Sequence, residues 1–154
     1  IEGGEIPSLP KEGDAFAVPL GSGRYSVCRV ILDHSNETGQ WHGGAILVAG
    51  SDWVGDEVPL PDEPALRSIL HLTHHSWNNS LNILWVAEEP PDDFILIGTI
   101  RPSLEEQSIP CDRFSSWSTF MIQPLVQWRW DNKREAVREL ERDDVANQIS
   151  VQPG

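Results

Sequence analysis

Asp14-Ala15-Phe16-Ala17-Val18-Pro19-Leu20-Gly21-Ser22-Gly23-Arg24-Tyr25-Ser26-Val27-Cys28-Arg29-Val30-Ile31-Leu32 is the stretch on which the reading of this chain turns. Two runs rich in β-branched and aromatic residues flank a short glycine turn, a pattern that predicts an antiparallel hairpin of residues 14–20 and 24–32. Side chains alternate across a strand, so Tyr25, Val27, Arg29 and Ile31 share one face, while Ser26, Cys28, Val30 and Leu32 share the other. Pro19 has no N–H to give a ladder and is expected at an edge or at the strand's end.

Working outward, residues 1–13 hold three glycines and two prolines and read as a loose lead-in. After a polar, turn-rich segment from Asp33 to Gly43, Gly44 to Ala49 reads as a third strand. Residues 50–61, with two glycines and two prolines, read as loop. Asp62-Glu63-Pro64 suits a helix start, since proline is tolerated in the first turn and acids favour that end. The spacing of Leu66, Ile69 and Leu70 extends that helix to about His71. Leu81–Ala87 and Phe94–Ile100 read as further strands, and residues 101–116 as irregular. From Ser118 to Trp130 the pattern of Phe120, Ile122, Val126, Trp128 and Trp130 is mostly alternating, with Pro124 interrupting it. Asp131 is expected to cap a last helix to Val145, supported by oppositely charged pairs such as Glu135–Arg138 and packed through Val137 and Leu140.

These elements define an α+β chain: a β-rich single domain with a small twisted sheet or a partly closed SH3-like barrel, one short helix and a C-terminal helix. The domain is expected to run from 14 to 148, with 149–154 as a tail. Charge is spread evenly over the two halves, which favours one domain over two.

The 154 residues carry 24 acids against 11 lysines and arginines, a formal charge of −13. That sign opposes nucleic acid or an anionic membrane as partner and favours a basic protein. No apolar run approaches the roughly 20 residues of a membrane-spanning helix. Cys28 and Cys111 lie far apart and outside any C-x-x-C pair. They read as two reduced thiols of a cytoplasmic protein, with a single bridge in an exported one as the alternative. No cofactor is expected.

The densest polar cluster is His71-Leu72-Thr73-His74-His75-Ser76-Trp77, in which His71 and His75 would be i, i+4 on a helix. Imidazoles so spaced can share a metal, yet H-E-x-x-H and related ligand spacings are missing, so no metal site is assigned. Ser76 and Ser80 lack an elbow motif, and Gly21-Ser22-Gly23 joins two strands rather than opening a helix. No catalytic motif emerges. The residues expected to meet a partner are Trp53 among Asp52, Asp56 and Glu57, together with Trp77, His74 and His75, because aromatic anchors ringed by polar groups dominate binding hot spots. A small hydrolase or metal-dependent enzyme using His71, His74 and His75 is the alternative.

The run Lys11-Glu12-Gly13-Asp14-Ala15-Phe16-Ala17-Val18-Pro19-Leu20, followed by Gly23-Arg24-Tyr25 and Arg29-Val30-Ile31, resembles the opening of the immunity protein 26 family. The likeness covers residues 11–32. It implies a non-enzymatic protein that neutralises a bacterial toxin, and it brings no catalytic residues with it. The same opening is similar to that of PemK-like barrel toxins. Those are ribonucleases with basic surfaces, an activity that a charge of −13 opposes.

Overall fold

Strands β1 (Asp14–Gly21) and β2 (Arg24–Asp33) pair antiparallel in the computed structural model, which describes residues 9–38, 43–73 and 79–132. Their turn places Ser22 and Gly23 at φ 54° and 75°, between the partners Gly21 and Arg24. Positive φ at both central residues is what a two-residue hairpin loop with matching twist requires. Pro19 lies beyond Ala17, the last β1 residue paired with β7 (Ile95–Thr99), and where the β1–β2 register slips. Its missing donor therefore costs no regular ladder bond on that side.

The remaining strands are β3 (Ile46–Gly55), β4 (His71–Leu72), β5 (Ser80–Leu81) and β6 (Ile83–Val86). Five of the seven form one antiparallel sheet in the order β6-β3-β2-β1-β7, and β4 and β5 form a two-stranded ribbon. The sheet stays open, so the expectation of a small sheet holds and that of a partly closed barrel does not. Leu81–Ala87 is divided because Asn82 leaves the pairing line: its N–H donates to the Leu70 carbonyl and its carbonyl accepts from Gly50.

Both faces of the sheet are covered. On one, Phe16, Val18, Cys28, Val30, Val48 and Leu84 pack beneath Trp117 and Phe120. The Trp117 ring meets Phe16 and Phe94 edge-on, with centroids 6.0 and 5.9 Å apart. Its indole N–H reaches the Glu88 carbonyl at 2.7 Å, so a large apolar body is buried with its one donor satisfied.

Phe120 belongs to helix α2 (Thr119–Asp131), where the alternating pattern suggested extended chain. The buried residues of α2 are Phe120, Pro124 and Gln127, a helical spacing hidden because only the first is a plain apolar residue. Pro124 cannot donate to the Phe120 carbonyl one turn back. The Ser26 hydroxyl, buried on β2, donates to that carbonyl instead at 3.2 Å. A helix that proline would weaken is thereby tied to the sheet. Asp131 is itself the last residue of α2, with Asn132 as its C-cap. The remainder of the helix expected to Val145, including Val137 and Leu140, lies outside the described residues.

The opposite face carries Ala15, Val27, Leu66 and Ile100 in one cluster, and Ile31, Leu47, Ile83 and Trp85 in another. The helix expected over 62–71 is a single 3-10 turn at Pro64–Arg67, capped by Glu63. It stops because the next residues find sheet partners. Ser68 accepts from the Asp52 N–H, Leu70 donates to the Gly50 carbonyl, and Ser51 bridges Ile69. Strand β3 likewise extends to Gly55, into the segment read as loop.

Residues 101–116 contain one short helix, α1 (Leu104–Gln107), closed by a Ser103–Glu106 capping box. Glu106 also receives Arg29, whose side chain is fully buried between Val27 and Ile31 on β2. Arg29 donates from Nη1 to Glu106 Oε1 at 3.0 Å, from Nη2 to Glu106 Oε2, and from Nη2 to the Arg67 carbonyl at 2.9 Å. Burial by itself raises the Glu106 carboxyl pKa. The Arg29 hydrogen bonds, the Ser103 backbone N–H and the Arg29 charge outweigh it and leave the group below its ordinary value.

Candidate binding groove

The β2–β3 register steps from Ser26↔Val54 to Cys28↔Gly50, so three residues of β3 oppose Val27 alone. Such a bulge bends its strand and re-aims its side chains. Here Ser51, Asp52 and Trp53 turn to the segment before β4: the Ser51 hydroxyl donates to the Leu66 carbonyl at 2.7 Å, and Trp53 packs against the Ala15–Val27–Leu66–Ile100 cluster. The indole lies close over Gly55, where an added Cβ would come within 2.5 Å of Trp53 Cζ2. Glycine at 55 is what lets the ring settle there.

Beyond Gly55 the chain returns along an open groove of about 390 Å3. Trp53, Val58, Pro59 and Leu60 give it an apolar floor and lip, with Leu60 71% exposed. Asp56, Glu57, Asp62 and Glu63 also line it, and no lysine or arginine does. Four carboxylates around an indole and two accessible aliphatic side chains make a surface for a cationic group on an apolar stem. Charge attracts such a group, and the ring face can hold it.

The structure brings together three of the residues expected from sequence, Trp53, Asp56 and Glu57. Asp52 is exposed and does not line the groove. His74, His75 and Trp77 lie outside the described residues. His71 is exposed on β4, and no three His, Cys, Asp or Glu side chains among the described residues are grouped to hold a metal. Cys28 is buried with its thiol pKa pushed far above the ordinary value, which leaves it unreactive, and the Cys111 thiol points to the Ile83 carbonyl.

Sequence reading missed Val58, Pro59, Leu60, Asp62 and Glu63. The signal is acids at 56, 57, 62 and 63 on either side of Val-Pro-Leu-Pro, but the second pair serves equally well as a helix start. Glu63 does cap the 3-10 turn, and it lines the groove as well.

No family model, curated protein or solved structure matches the chain.

Proposed function

We propose that this chain is a non-enzymatic binding protein that holds a basic protein partner against the groove around Trp53. The observation that carries the reading is the joining of a half-buried indole, exposed Leu60 and four carboxylates in one concave surface without a basic residue. The net charge of −13 extends the same polarity over the molecule and would speed encounter with a cationic surface. On the likeness of residues 11–32 to the immunity protein 26 family, the partner is a bacterial toxin and the act of binding neutralises it.

The test is capture of protein partners on immobilised wild-type chain, Trp53→Ala and Asp56→Lys/Glu57→Lys in parallel. The reading expects a basic protein retained by the wild type and lost from both variants. Retention by all three would overturn it. So would one equivalent of bound zinc, or a hydrolytic activity removed by His74→Ala, either of which would favour the enzyme.

A further inference from the structure

The two edges of the main sheet are treated differently. Along β6 the outer edge is closed by the chain itself: Trp85 donates to the Arg113 carbonyl at 2.8 Å and accepts from Ser115 at 3.1 Å, with Phe114 bridged between. Strand β7 ends the sheet at the other side and pairs only with β1 among the described residues. Natural edges are commonly protected by charge, proline or bulges. The sequence Ile95-Leu96-Ile97-Gly98-Thr99 has neither charge nor proline, and its one bulge, at Ile97 where the register passes from Gly98 to Leu96, leaves Ile95 and Leu96 in regular pairing with β1. Ile95 and Leu96 are 43% and 58% exposed.

This edge adjoins the groove. Pro61 packs on Gly98, where an added Cβ would sit 3.0 Å from the proline Cγ, so the groove segment and β7 share a seam. Asp62 follows on one side of that seam, and Asp92 and Asp93 lie just before β7. A second copy of this chain would bring a further −13 to the same acidic border. A cationic strand is attracted by it.

We propose that the basic partner docks by strand addition: an extended segment of alternating apolar and basic residues pairs along β7 and continues the sheet. Its backbone takes the open edge, and its apolar side chains cover Leu96 on the Phe16 face of the strand. Its basic ones, on the other face, lie toward Pro61 and Asp62, with Asp92 and Asp93 at the strand's start. The inference rests on the groove reading for the sign of the partner and adds the way its backbone is held.

Two capped heptapeptides of equal charge separate the two ideas: Lys-Val-Lys-Val-Lys-Val-Lys, and the same peptide with proline in place of valine, which cannot complete a ladder. At about 150 mM salt, where exposed charges are screened beyond about 8 Å, the valine peptide is expected to bind about tenfold or more tighter. It should also slow amide hydrogen exchange across 95–99, and Leu96→Lys should bring it down to the proline peptide's affinity. Equal binding of both peptides, abolished by Asp56→Lys/Glu57→Lys, would overturn strand addition and leave the groove reading standing. Binding of neither would overturn both. Strand addition is also overturned if the β7 amides are already protected in the free protein, or if the free protein is a dimer that Leu96→Lys dissociates.

Discussion

Arg29, at the middle of β2, holds both carboxylate oxygens of Glu106, 77 residues further along the chain, with its own side chain fully buried and that of Glu106 14% exposed. A guanidinium placed among Val27 and Ile31 is tolerable because its fork matches the carboxylate and a third donor contact reaches the Arg67 carbonyl. One buried cation thus ties the sheet to α1 and to the 3-10 turn beside the groove.

Removing one partner of such a pair leaves the other charge buried and alone. Arg29→Ala and Glu106→Ala should each destabilise the fold by about 3 kcal/mol or more, while Arg29→Met, which refills the space with apolar atoms, should cost less. Chemical denaturation at neutral pH checks the order. A negligible loss for Arg29→Met, which removes the charge but keeps the volume, would show that the charge pair is irrelevant.

The pair also sets a pH dependence. The folded-state pKa of Glu106 is lowered, so the native state favours its ionised form. Its contribution is fully present above the unfolded carboxyl value near about 4.3 and fades as the pH falls through the lower folded value. Stability curves of wild type and Glu106→Gln should therefore converge on acidification through that window. A constant gap from neutral pH to pH ~3 would contradict the assignment.

Ser26 and Pro124 make a second long-range dependence. Ser26→Ala leaves the Phe120 carbonyl without the donor that Pro124 cannot supply, and should cost about 1–3 kcal/mol. In a Pro124→Ala background the helix can provide its own N–H, so the same serine change should cost less. A double-mutant cycle with no coupling would refute the link.

The hairpin was legible because every local signal agreed: alternation on both sides, a glycine turn, and proline where the ladder is thin. The two faces of β2 were legible as far as Ile31. The register slip between Val30 and Leu32 was not, and it sends Leu32 to the Ile31–Leu47 cluster and not to the face of Cys28 and Val30. Neither was the burial of Arg29. A basic residue in a strand reads as solvent-facing until its distant carboxylate is known. Helix α2 was obscured by Pro124 and Gln127 occupying its buried face, and the turn at 64–67 by a leucine spacing that serves equally well in bridged, extended chain. In the groove, Trp53, Asp56 and Glu57 could be singled out as an aromatic among acids. Leu60, Asp62 and Glu63 join them only through the β3 bulge, a register event with no local signature.

At the groove, Gly55→Ala should displace the Trp53 ring, since the new methyl falls inside the ring's contact distance. The expected result is weaker partner binding with a stability loss of about 1–3 kcal/mol. An unshifted Trp53 indole N–H resonance in the variant would speak against the packing described.

Charge and anchor should separate kinetically. Asp56→Lys/Glu57→Lys is expected to slow association with the basic partner and to flatten its salt dependence. Trp53→Ala should instead speed dissociation, by about 2 kcal/mol or more if the indole is a hot spot. Surface binding kinetics over a range of salt distinguishes the two. Identical rate effects from both variants would refute the division of roles.

The central claim is that a cationic ligand seeks the groove and not merely an acidic protein. Titrating isotope-labelled protein with capped hexalysine, while following its backbone and indole N–H resonances, tests this most directly. The account predicts saturable shifts confined to Trp53, Gly55 and residues 56–63 and lost in Asp56→Lys/Glu57→Lys. Shifts spread equally over the exposed acids at 88–93 and 105, unchanged in that variant, would contradict it.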